Sequence, residues 1–128
     1  MRFFSIFSVF AIGAVMFISS ATAGDMKMNE STDISVTGRV VDPACYIKAG
    51  MKGADHRVCA QACAKAGQAF GILDETNGVL YQVLATGMMK DPNEGLMDHA
   101  EEIVTVEGKL FEKDGMKGIV PTKVKKGS

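Results

Sequence analysis

All three cysteines of this 128-residue chain, and one of its two histidines, fall in the single stretch Cys45 to Cys63, CYIKAGMKGADHRVCAQAC. Thiolate and imidazole are soft to borderline donors. They suit Cu(I) or Zn(II) and offer little to calcium or magnesium, which take oxygen ligands. On a helix turning about 100° per residue, His56, Cys59 and Cys63 fall on one narrow face. Cys45 precedes a loop and can fold back over that face, so Cys45, His56, Cys59 and Cys63 form a candidate Cys3His metal site.

The same spacing has other readings. Positions i, i+3 and i+7 are also core spacing, and cysteine is a small, often buried hydrophobe. A disulfide from Cys45 to Cys59 or Cys63 would tie the first strand to the helix and contribute about 2–4 kcal/mol. Cys59 with Cys63 is the poorer pair, because helical i, i+4 separation is near the upper limit of bridge geometry. Any single bridge leaves an odd thiol that needs a use of its own. The metal reading leads, and the methionines favour copper within it. Met26, Met28, Met51, Met88, Met89 and Met97 fall in expected leader or loop segments, where a thioether offers Cu(I) a soft donor and zinc little. Flexible filling beneath loops is their alternative use. His99 is a second candidate ligand, near Met97.

The elements that must position these residues follow from the patterning. Ile34, Val36, Gly38 and Val40 alternate with polar residues, the period of a half-buried strand. Asp42-Pro43 is expected to end that strand in a turn, with Cys45-Tyr46-Ile47 as a short extended piece. Asp55 reads as the N-cap of a helix over about 55–66, rich in alanine and stopped by Gly67. Strands are expected at Gln68–Leu73 and Val79–Ala85, joined through Asn77-Gly78, a hairpin signal. Leu96 to Ala100 can make one helical turn. Strands follow at Glu102–Phe111 and Met116–Val124, with Pro121 marking the last as an edge or a bulge. Five strands, one helix and glycines inside strands point to a mainly β fold, a small OB-like antiparallel barrel; a sandwich would want about seven strands.

The chain opens with Arg2, an apolar run from Phe3 to Ile18, and small residues ending in Ala21-Thr22-Ala23. That is the layout of a signal peptide cleaved after Ala23, which places the mature protein in the periplasm or outside the cell. The run is short for a spanning helix, so no membrane attachment is expected after cleavage. Residues 24–33 read as a flexible leader, 34–125 as one barrel domain and 126–128 as a tail. A formal net charge of −1 supplies no basic footprint for nucleic acid.

Three segments carry a resemblance. Gly38 to Tyr46 reads G-x-V-V-D-x-x-C-Y, His56 to Gly67 reads H-x-x-C-A-x-x-C-A-K-x-G, and Val104 to Gly115 reads V-x-V-x-G-K-x-F-E-K-x-G. Together they resemble a family of small exported bacterial proteins. The resemblance implies an OB-like domain and export; it implies no activity.

No serine-nucleophile elbow, C-x-x-C redox pair, phosphate-cradling glycine loop or H-E-x-x-H is present, so catalysis is not expected. The adjacent carboxylates Glu101-Glu102 and Asp74-Glu75 read as solubilising. Two functions remain. One is an exported protein that sequesters or hands over Cu(I), or Zn(II), with a possible envelope protein as recipient. The other is a disulfide-stapled binding module for a partner protein or small ligand.

Overall fold

The computed structural model describes residues 27–127. The expected signal peptide, and Met26 with it, lies outside the described residues. Strand β1 spans Ser31–Val41, β2 Gly71–Asp74, β3 Val79–Val83, β4 Ile103–Lys113 and β5 Met116–Lys126. They close into a barrel in the order β1-β2-β3-β5-β4, with β4 returning to β1 over a ladder from Ser31↔Phe111 to Arg39↔Ile103. This is the expected mainly β, OB-like barrel. One pair departs from the antiparallel pattern: β3 meets β5 in parallel, at Gln82↔Gly118 and Val83↔Ile119.

Strand β1 begins at Ser31, earlier than its hydrophobic alternation suggests, because Thr32 and Asp33 pair with Leu110 and Lys109 of the long β4. Backbone pairing carries those polar residues where side-chain burial does not. Two glycines permit the tight closure. A Cβ on Gly38 would stand 2.5 Å from the Leu73 carbonyl oxygen, and one on Gly108 would stand 2.3 Å from that of Val120. Gly108 also sits at the bulge in the β4–β5 ladder, opposite Pro121, as expected of a proline that cannot donate to the ladder.

Two α-helices lie between β1 and β2 where one was expected. Helix α1 spans Pro43–Ala49 and α2 spans Arg57–Lys65, the latter preceded by a 3-10 turn at Ala54–His56. The Asp42-Pro43 pair does end β1, but it starts a helix: Asp42 is the N-cap, and proline sits in the first turn, where its missing N–H costs nothing. Cys45-Tyr46-Ile47 is therefore helical, not extended. Gly50, at φ +66, closes α1 in the left-handed conformation. Asp55 caps nothing; it lies inside the 3-10 turn, and His56 occupies the N-cap position of α2 without a side-chain cap bond. Gly67, at φ +107, follows the end of α2 as expected.

Helix α2 closes onto the barrel through Ala60 and Ala64, which share one core with Val40, Phe70, Leu96 and Ile119. Alanine lets the helix backbone approach the barrel closely, and burying these side chains stabilises by roughly 25 cal/mol per Å² of apolar area. The expected helical turn near His99 is present as a 3-10 turn at Met97–His99. Buried Asn93 ties the loop before it to the segment leading into β2, accepting the Phe70 N–H at 2.8 Å and donating to the Gln68 carbonyl at 2.9 Å.

Candidate metal centre

Helices α1 and α2 bring the sulfurs together. Cys45 from α1 and Cys59 and Cys63 from α2 place their Sγ atoms within 4.8 Å of one another. Three thiolates on one ion, with bonds of about 2.3 Å, stand about 3.8–4.0 Å apart, so a small contraction would close the set around a metal. All three cysteines carry free thiols. Cys59 is exposed, while Cys45 and Cys63 are half-buried.

The face of α2 divides at its N-terminus. His56, Ala60 and Ala64 are buried, and Cys59 and Cys63 form the neighbouring stripe. His56 belongs to the 3-10 turn rather than to the helix proper, so its side chain is placed by that turn and by Glu101, just ahead of β4. It is 4 % exposed, its Nδ1 stands 2.9 Å from Glu101 Oε1, and no ring nitrogen of it joins the three-sulfur group. Of the candidate ligands Cys45, His56, Cys59 and Cys63, the fold brings the three cysteines together, and His56 is not among them. Its Nε2 is buried and finds no partner among the described residues.

Two acidic residues shape the surroundings, and the sequence reading missed both roles. Asp42 is 1 % exposed. Its Oδ1 accepts the backbone N–H groups of Ala44 and Cys45 at 2.8 and 3.2 Å. Its Oδ2 is buried without a well-aligned hydrogen bond; the thiols of Cys63 and Cys45 are near enough to act on its charge. Burial works against ionisation of Asp42, yet the Cys45 N–H, these two thiols and the Ala44 N–H together hold its carboxyl below the usual range. The carboxylate in turn raises both neighbours. Contact with Asp42 foremost, then burial, pushes the Cys63 thiol up to about 11, and the same causes raise Cys45. Proline directly after an Asp was the available signal for this cap.

Glu101, expected to be solubilising, is instead buried, at 4 % exposure. Its Oε2 accepts the Gly53 N–H at 2.7 Å, its backbone carbonyl accepts from the Arg39 guanidinium at 2.8 Å, and its φ is +63. It therefore fixes both the 3-10 turn and the loop ahead of it. Nothing in local sequence distinguishes it from its neighbour Glu102, which stays near the surface with Arg57 and His99. That contact accounts for His99, which faces Glu102 rather than a ligand cluster.

The methionines divide as well. Met51 follows α1, its N–H bonded to the Cys45 carbonyl at 3.4 Å, and its side chain is exposed. Met97 packs against the core. Met28 and Met88 line an apolar groove with Leu84 and Phe111. That groove adjoins the beginning of β1, whereas the thiols follow its end, 11 residues away along the strand.

No protein-family model, curated protein or solved structure matches the chain. The reading of this centre therefore comes from its own geometry.

Proposed function

We propose that the protein is an exported, non-catalytic metal carrier that sequesters or hands over a soft ion, Cu(I) before Zn(II), through the thiolates of Cys45, Cys59 and Cys63. The observation that carries this reading is the convergence of three sulfurs from two helices within 4.8 Å. A donor set made only of sulfur favours Cu(I) and Zn(II) over hard cations. Cys59, the exposed member of the set, is where a recipient thiolate would enter for ligand exchange.

Binding would displace the thiol protons, so affinity rises with pH. The carboxylate of Asp42 supports this coupling, because it favours the protonated forms of Cys63 and Cys45. The test is a competition titration of reduced protein with Cu(I), and separately with Zn(II), against a chromophoric chelator. One ion per chain is expected, with loss of high-affinity binding in Cys45→Ser, Cys59→Ser and Cys63→Ser. Binding that survives all three replacements would remove the proposal.

A further inference from the structure

Beyond holding an ion, we infer that the three-thiol cluster is a thiol–disulfide exchange centre for low-molecular-weight disulfides, with Cys59 as the attacking thiol and Cys45 as the resolving one. The inference does not depend on metal binding. It stands on three features: three free thiols whose sulfurs are mutually within 4.8 Å, one of them exposed and two half-buried, and their division between two helices.

Exposure assigns the first step. A small disulfide, RS–SR, meets Cys59 before the other two. The Cys59 thiolate attacks one sulfur, the RS–SR bond breaks, and one RS⁻ leaves and takes up a proton. Cys59 then carries a mixed disulfide. A neighbouring thiolate attacks the Cys59 sulfur, and the second RS⁻ leaves. In sum, two protein thiols lose two electrons and two protons, one protein disulfide forms, and the small disulfide becomes two thiols.

Helix geometry assigns the second step. Cys63 lies four residues from Cys59 on α2, and that separation is near the upper end of what a disulfide spans. Cys45 comes from α1 and approaches from outside the helix. The product is a Cys45–Cys59 bridge joining α1 to α2, with Cys63 left as the free thiol. Such a bridge removes two of three sulfur donors, so in metal-loaded protein the exchange also releases the ion.

The test uses reduced, metal-free protein and oxidised glutathione, followed by thiol counting and peptide mapping. The expected result is loss of two thiols and a Cys45–Cys59 cross-link, with the same cross-link in Cys63→Ser. Cys45→Ser should stop at a single glutathione adduct on Cys59, and Cys59→Ser should react at least tenfold more slowly. Three thiols persisting in folded protein, adducts spread over all three cysteines, or a bridge to Cys63 would overturn the assignment. A parallel arm with Cu(I)-loaded protein expects one ion released per bridge formed. If reduced protein binds no ion yet forms the bridge, the carrier reading fails and the exchange centre stands.

Discussion

Asp42 accepts the backbone N–H of Cys45 at 3.2 Å through Oδ1, and the thiols of Cys63 and Cys45 lie near enough to the same carboxylate to act on its charge. One carboxylate thus starts helix α1 and sets the charge environment of two cysteines. The cap positions Cys45, and the carboxylate beside Cys63 pushes that thiol up to about 11.

The two roles separate by substitution. Asp42→Ser keeps an oxygen acceptor for the helix start, whereas Asp42→Ala removes it. The alanine variant should lose about 1 kcal/mol of stability in denaturant unfolding, and the serine variant should lose less. Asp42→Asn keeps the shape and removes the charge. The midpoint for alkylation of Cys63 should then fall from about 11 towards the ordinary thiol value of 9.0; an unchanged midpoint would mean that Asp42 does not act on this thiol.

His56 and Glu101 carry a structural role that metal binding should not share. Replacing Glu101 by alanine leaves His56 Nδ1 and the Gly53 N–H without their acceptor in a buried place. A loss of about 1–3 kcal/mol is expected per buried group so stranded. Glu101→Gln retains an acceptor and should lose less. In the folded glutamine variant, metal stoichiometry should match the parent protein. Loss of the ion there, with the fold intact by circular dichroism, would bring His56 back among the ligands.

Closure of the barrel depends on the space left by Gly108. Its missing Cβ would meet the Val120 carbonyl at 2.3 Å, so Gly108→Ala forces β4 and β5 apart. The expected cost is about 1–3 kcal/mol, as for other overpacked sites, read from the urea midpoint. A midpoint within error of the parent would show that the strands open freely there.

Acid should weaken the join between α2 and the beginning of β4. The Arg57 guanidinium foremost, then His99, holds the Glu102 carboxyl at about 2, against an ordinary 4.5. Between those values the unfolded chain binds a proton that the folded protein does not, so stability falls as pH drops from about 4.5 towards 2. Above 4.5 this contribution is fully present. Thermal unfolding across that range should show a shallower pH dependence in Glu102→Gln than in the parent chain.

The barrel was legible because it is built from period-two burial and punctuation: Val36 and Val40 alternating with Ser35, Thr37 and Arg39, Asn77-Gly78 at a hairpin, Gly67 after a helix. At the candidate site the three sulfurs converge, and the histidine expected beside them does not join that group. Helical projection treated His56 as continuous with Cys59 and Cys63, but a 3-10 turn breaks the 3.6-residue period at that residue. What captures His56 is Glu101, 45 residues away in sequence, and no local pattern announces such a partner. Helix α1 could have been found, since Asp before Pro with Gly50 seven residues later is a start and a stop.

The central claim, one soft ion held by the sulfurs of Cys45, Cys59 and Cys63, is tested most directly by X-ray absorption on Cu(I)-loaded protein at one equivalent. The account predicts a first shell of three sulfur scatterers without imidazole nitrogen, lost in Cys59→Ser. A shell containing imidazole, or copper bound equally well after that replacement, would contradict it.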